Sequence, residues 1–111
     1  LVASGFIPSY DSTSISQDKH ILNQLAAITQ SIDDNQFAQS NTEQLYVDSE
    51  GEIILIPKIG SQKFILGTSE RIEEKLNYIR IYYSDIAPKE GWSRYSFVNL
   101  KFEGQIVCNK N

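Results

Sequence analysis

Apolar residues recur along this chain in two periods, one typical of helices and one typical of strands. The helical period predicts a first helix over about residues 17–32 and a second helix that starts near Glu70. Their apolar stripes consist of Ile21, Leu25, Ile28 and Ile32 in the first helix, and of Ile72, Leu76, Ile79 and Tyr83 in the second. Asp33-Asp34-Asn35 ends the first helix, and Gly67-Thr68-Ser69 offers an N-cap for the second.

The strand period appears between the two helices. Residues 43–48, 52–57 and 63–66 predict three strands joined by turns, which would form an antiparallel meander. The run Ile53-Ile54-Leu55-Ile56 is apolar on both faces, which indicates a central or covered strand. Residues 84–94, after the second helix, are predicted to be a loop. Leu1 to Ala3 is a short apolar start that is compatible with a further strand.

The strand period returns at the C-terminal end, where it predicts a hairpin with a two-residue turn at Glu103-Gly104. Apolar and polar residues alternate on both sides of that turn, and Gly takes a positive φ there at little cost. The predicted fold class is therefore α+β, with an antiparallel meander and a C-terminal hairpin in one sheet packed with two helices. The last strand is a candidate sheet edge, where backbone donors and acceptors can meet another chain.

Composition excludes several classes of function. The chain has 14 acidic and 10 basic residues, a net charge of −4, and no clustered Lys/Arg stripe, so we expect no nucleic-acid partner. It has one cysteine and one histidine, Cys108 and His20, with no metal-ligand spacing or nucleophile signature around either. Neighbouring acids such as Glu73-Glu74 point in different directions on a helix. We therefore expect no enzyme, cofactor or metal site.

Aromatic residues are concentrated towards the C-terminal end, and two interpretations of them stay open. They either close a small core or contribute to an interface beside the sheet edge. The group consists of Tyr78, Tyr82, Tyr83, Trp92, Tyr95, Phe97 and Phe102. Trp92 lies in the predicted loop beside Pro88 and Gly91, so it is the member that either interpretation fits equally well.

Several segments of the second half resemble the FtsQ/DivIB family of bacterial cell-division proteins. They are Ile56-Pro57-Lys58-Ile59-Gly60-Ser61-Gln62-Lys63-Phe64-Ile65-Leu66-Gly67, Ile72-Glu73-Glu74-Lys75-Leu76, Gly91-Trp92, Tyr95-Ser96, Val98-Asn99-Leu100-Lys101-Phe102 and Gln105-Ile106-Val107-Cys108. Many relatives have Asp-Leu-Arg-Tyr where this chain has residues 99–102, so this chain lacks a carboxylate and a phenol. The first half agrees only in pattern, with a short strand, Gly5 and then a helix.

The resemblance implies that residues 1–111 are a single extracytoplasmic β domain of a longer bitopic membrane protein, with 1–5 a candidate exit from a POTRA domain. It implies a non-enzymatic divisome scaffold on the periplasmic side of the cell inner membrane, and a fragment that is soluble by itself. Its partners would be divisome proteins resembling FtsB and FtsL, bound by strand addition to the C-terminal edge during septum formation. The implied partner-binding residues are Trp92, Tyr95, Lys101, Gln105, Ile106, Val107, Cys108 and Asn109.

Three alternatives compete with this interpretation. A secreted small-ligand-binding or enzymatic α+β domain would use the tyrosines and Trp92 in a deep pocket with convergent polar groups. A bare edge can also pair with a second copy, or be covered by the rest of a longer protein. Under the strand-addition interpretation, proline at Ile106 or Val107 is expected to abolish partner binding and leave the domain folded.

Overall fold

The computed structural model describes residues 2–5, 16–58, 60, 62–86 and 95–110, which form one sheet and three helices. The strands are β1 (Val2–Gly5), β2 (Thr42–Val47), β3 (Ile53–Pro57), β4 (Lys63–Gly67), β5 (Tyr95–Asn99) and β6 (Val107–Lys110). The helices are α1 (Ser16–Asp33), α2 (Gln36–Asn41) and α3 (Ile72–Ile81), and a π-helical segment (Tyr82–Ile86) continues α3. The predicted α+β class is confirmed.

The six described strands lie in the sheet in the order of the sequence, from β1 to β6. β2, β3 and β4 form the predicted antiparallel meander. β1 pairs with β2, and β4 with β5, in parallel, so the sheet as a whole is mixed. Helices separate the strands of each parallel pair in sequence, α1 and α2 in the first pair and α3 in the second, because a parallel connection must return the chain to the same end of the sheet. β6 then pairs with β5 in the antiparallel direction.

The core lies between one face of the sheet and the helices. Leu25, Ile28 and Ile32 of α1 are buried, as the predicted stripe requires, and α1 also contacts α3. The core residues of the strands are Leu45, Val47, Ile53, Leu55, Phe64, Leu66 and Val98. Phe64 of β4 packs edge-on against Tyr82 and Tyr83, which assigns these two tyrosines of the aromatic group to the core. β3 is central, as its apolar pattern predicted, although Ile54 and Ile56 on its other face are only half-buried.

The ends of the second predicted helix differ from expectation. α3 begins at Ile72, and Arg71 before it takes a left-handed conformation with φ of 54° and makes no side-chain cap bond. Part of the predicted loop is helical, since the π-helical segment runs to Ile86. The short helix α2 was not predicted. Asn35 caps it by accepting a hydrogen bond from the Ala38 N–H at 3.1 Å.

The C-terminal hairpin is wider than the sequence predicted. Asn99 of β5 pairs with Val107 of β6, so residues 100–106 connect the two strands. The turn at Glu103-Gly104 is present within this connection, and Gly104 has a φ of 71°. Leu100, the first residue after the strand, still donates its N–H to the Ile65 oxygen of β4, at 3.0 Å. The predicted two-residue loop was therefore wrong, while its glycine conformation was correct.

Candidate partner-binding edge

β6 is an edge strand of the sheet, and among the described strands only β5 lies beside it. This confirms the predicted position of the last strand. β6 covers residues 107–110, so it starts two residues later than the predicted edge segment, and Gln105 and Ile106 lead into it. Four residues is a usual length for an edge strand, since a short edge limits unwanted pairing.

The direction of the backbone groups in β6 follows from a contact on the other side of β5. The Leu100 N–H donates to Ile65 of β4, and successive residues of a strand turn their groups to opposite sides. The groups of Asn99 therefore face β6, where the residue opposite is Val107. Such a facing pair exchanges both hydrogen bonds, and the next pair along an antiparallel ladder exchanges none. The backbone of Val107 thus serves the hairpin.

Cys108 has the opposite orientation. It lies opposite Val98 in the next pair of the ladder, so its N–H and C=O face away from β5. Its side chain points to the helix-covered face and packs against the core, as does that of Ile106. This orientation makes Val107 a poor position for the proline test, because a proline there would remove a donor from the hairpin itself. Position 108 is the one where proline removes an outward-facing donor.

The side chains of the edge divide between the two faces of the sheet. Gln105 and Asn109 are exposed, and Val107 is half-buried on the face opposite the helices. Phe97, opposite Asn109 in the ladder, is 37% exposed on that same face. The helix-free face beside the edge therefore carries the apolar side chains of Phe97 and Val107 and the polar side chain of Asn109.

Phe102 is an exposed residue that the sequence prediction did not include in the site. It is 50% exposed and lies in the connection that leads into β6. Its alternation with Val98 and Leu100 indicated a core position, but the strand ends before it. A signal was present in the sequence, since a glycine two residues later marks a turn, where side chains usually reach solvent.

Lys101 is engaged within the chain. Its Nζ forms an ion pair with Glu52, at 2.9 Å from Oε2, and its own N–H donates to the Asn99 side chain at 3.0 Å. The Lys101 side chain also lies against Gly67, where a Cβ atom would stand 2.8 Å from its Cδ. An ion pair that is about one-third exposed contributes only about 0–1 kcal/mol. Lys101 therefore helps to fix the connection, besides its predicted place in the site.

Tyr95 and Trp92 are two further residues of the predicted site. Tyr95 is in β5, where its backbone pairs with Lys110 of β6. Trp92 lies outside the described residues. The segment from Gln105 to Asn109 leads into β6 and forms most of it, whereas the Lys101 side chain lies against Glu52 and Gly67.

Arg71, just before α3, and Tyr78 of α3 contact the connection at two points. The Arg71 guanidinium donates to the Lys101 carbonyl oxygen at 2.7 Å, and the Tyr78 hydroxyl accepts from the Gly104 N–H at 2.9 Å. Glu74 lies between them, accepting from Arg71 at 3.3 Å and from the Tyr78 hydroxyl. The bond from Tyr78 is the main cause that lowers the pKa of Glu74, and it raises the pKa of Tyr78.

The grooves on the described surface differ in polarity, and one lies among Ser31, Asp34, Asn35, Glu73 and Leu76. Another, of about 360 Å³, lies on the helix-free face of the sheet and is lined by Tyr46, Ile54, Ile56, Lys63 and Phe97. Lys63 is its only charged lining residue, so it lacks the convergent polar groups that the ligand-pocket alternative requires. Within the described ranges, no group of three or more His, Cys, Asp or Glu could hold a metal ion. His20 is in α1.

Comparison with known families tests the resemblance that the sequence showed. The model of the FtsQ/DivIB C-terminal-related family matches residues 9–109, which is more than half of the chain. The chain belongs to this family. The family comprises cell-division scaffold proteins, so the resemblance noted in the sequence is confirmed at the level of a cell-division domain. No curated protein matches the chain. In the described part, none of the helices has the length and apolarity that crossing a membrane requires.

Proposed function

We propose that this chain is a non-enzymatic divisome scaffold domain that binds an extended segment of an FtsB- or FtsL-like partner by adding it as a strand to β6. Residues 1–111 would form one extracytoplasmic β domain of a membrane-anchored protein, with residues 1–5 leading from a POTRA domain. Membership of the FtsQ/DivIB C-terminal-related family supports the role in division and the class of partner.

The position of β6 carries the proposal. Its outer side has no neighbouring strand among the described strands, so an incoming strand can continue the ladder there. Backbone hydrogen bonds would supply register, and alternate side chains would supply the choice of partner. Cys108 turns its backbone groups to that side, and Val107 and Asn109 present their side chains to the helix-free face.

Two exposed apolar side chains, Phe97 and Phe102, support a partner-binding surface that includes more than the backbone of β6. Phe102 is 50% and Phe97 37% exposed, and these two are the large apolar residues that are most exposed in the described part of the chain. Aromatic residues at the centre of interfaces often contribute more than 1 kcal/mol each, because they bury a large rigid surface. We include Phe102 with the site residues expected from the sequence.

The test is a binding measurement with a synthetic peptide that spans the extracytoplasmic end of the FtsB-like protein encoded by the same bacterium. Cys108→Pro should weaken binding by about threefold to tenfold, the range expected for one hydrogen bond, since an outward donor of the new ladder is lost. Cys108→Ala is the matched control, because it removes the same side chain and keeps the N–H; it should bind as the original chain does.

Two results would contradict the proposal. Equal affinity of Cys108→Pro and Cys108→Ala would exclude a ladder at β6, provided that circular dichroism shows both variants folded. Unchanged binding after deletion of residues from Gln105 onward would place the partner elsewhere. Sedimentation of the chain without peptide separates partner binding from pairing of two copies, which would appear as a concentration-dependent dimer that Cys108→Pro abolishes.

A further inference from the structure

The connection between β5 and β6 has an irregular backbone and needs contacts from outside itself to hold one conformation. Within residues 100–106, one local turn bond is present, from the Gln105 N–H to the Phe102 oxygen at 3.3 Å. At this length the bond is weak, because backbone bonds are normally near 2.9–3.0 Å. The local turn bond is therefore by itself a weak restraint on the backbone around Phe102.

The two contacts from Arg71 and Tyr78 lie on either side of Phe102. Arg71 holds the Lys101 carbonyl oxygen, just before it, and Tyr78 holds the Gly104 N–H, two residues after it. Only Phe102 and Glu103 stand between the two held positions. These two bonds restrain the backbone on both sides of Phe102, and the backbone sets the direction of its Cα–Cβ bond.

The backbone conformation of Arg71 is energetically unfavourable. A left-handed backbone at a non-glycine residue is disfavoured by about 1–2 kcal/mol. In Arg71 it directs the guanidinium to the Lys101 oxygen and to Glu74 together. Glu74 in turn accepts from the Tyr78 hydroxyl, which orients that hydroxyl so that its oxygen can accept from Gly104.

We propose that Arg71, which precedes α3, and Glu74 and Tyr78 of α3 form a latch whose role is to position Phe102 and the entry to β6 for partner binding. All three are positioning residues, since they act through the connection and need not touch the partner. This inference rests on the proposed function, because it gives the partner site a preorganised turn. Preorganisation raises affinity by removing the entropy cost of ordering the turn upon binding.

The variant that tests the latch is Tyr78→Phe, which keeps the ring and removes the hydroxyl that accepts from Gly104 and donates to Glu74. It should weaken binding of the same FtsB-like peptide by about threefold to tenfold, the range expected for one hydrogen bond. Asn77→Ala is the matched control on the exposed side of α3, and it should leave the affinity unchanged. Arg71→Lys keeps the charge and should lose less affinity than Arg71→Gln.

A double-mutant cycle separates positioning from a general loss of stability. If Tyr78 acts through Phe102, Tyr78→Phe should weaken binding in the original chain but have little further effect in a Phe102→Ala background. The latch would be overturned if Tyr78→Phe lowered the peptide affinity equally in the original chain and in the Phe102→Ala background, or if it did not lower the affinity of the original chain. If Cys108→Pro and Phe102→Ala both keep full affinity, the proposed function fails instead.

The latch can also be tested on the chain alone, without a partner. Backbone ¹⁵N relaxation should show lower order parameters for residues 102–105 in Tyr78→Phe than in Asn77→Ala. Unchanged order in that turn would refute the latch, whatever the partner binds.

Discussion

Proline at two adjacent positions of β6 should have opposite consequences for folding. The N–H of Val107 faces Asn99 and belongs to the hairpin, whereas the N–H of Cys108 faces outward. Val107→Pro should therefore lose one ladder bond and leave the half-buried Asn99 backbone short of a donor. Cys108→Pro should leave the described hairpin bonds in place. Edge strands accept proline where the missing N–H would have faced away from the sheet.

The size of the difference follows from hydrogen-bond energetics. A lost backbone bond costs about 0.5–1.5 kcal/mol net, and an acceptor left without a partner adds about 1–3 kcal/mol if it stays buried. Because Asn99 is only half-buried, we expect Val107→Pro to destabilise the domain by about 2 kcal/mol more than Cys108→Pro. With a urea m-value of about 1–3 kcal/mol/M, the unfolding midpoints should differ by about 1 M.

Urea unfolding followed by far-UV circular dichroism measures this difference without any partner. Val107→Ala and Cys108→Ala supply the reference midpoints, so that loss of each side chain is subtracted from the effect of proline. Equal corrected midpoints for the two proline variants would show that the assigned alternation is wrong. The outward orientation of Cys108, on which the choice of test variant depends, would then be withdrawn.

Two further predictions concern stability. Burial raises the pKa of Tyr83 above its ordinary value of 10, so the folded chain resists its ionisation and loses stability as pH rises past about 10. Tyr83→Phe loses the 2.8 Å hydrogen bond from Gln62, so it should lower the free energy of unfolding by about 1 kcal/mol at pH 7 and by clearly less at pH 11. Urea unfolding measures both values, and an equal loss at the two pH values would contradict this prediction. Gly67→Ala should lower the melting temperature more than Gly104→Ala does. Both glycines have a positive φ, but of the two only Gly67 is crowded, by the Lys101 side chain. Equal melting temperatures of the two variants would refute that reasoning.

Much of the fold was predictable because its signals are local. The stripe of α1 and the apolar run of β3 each depend on periodicity within one element, and both were placed within one or two residues. The short α2 was missed because six residues, with Phe37 as a single apolar anchor, carry too little periodicity. The end of β5 was missed since Leu100 and Phe102 continue the strand pattern beyond the point where the chain turns.

The site was less predictable, because its contacts join distant parts of the chain. Arg71 and Lys101 are 30 residues apart, and Tyr78 and Gly104 are 26 apart. Nothing in the local sequence of α3 distinguishes a tyrosine that holds the connection from one that fills the core, as the buried Tyr82 and Tyr83 do. The burial of each aromatic residue depends on the packing around it, which local periodicity does not report.

The sequence alone determined the number and type of most elements, the glycine conformation at the last turn and the family. Those properties depend on side-chain periodicity and backbone sterics, which act within a few residues. Tertiary structure decided that β1 and β5 join the sheet in parallel, that β6 forms its edge and that Cys108 rather than Val107 turns its backbone outward. Strand pairing sets these features, and a shift of register by one residue reverses the direction of every backbone group and side chain.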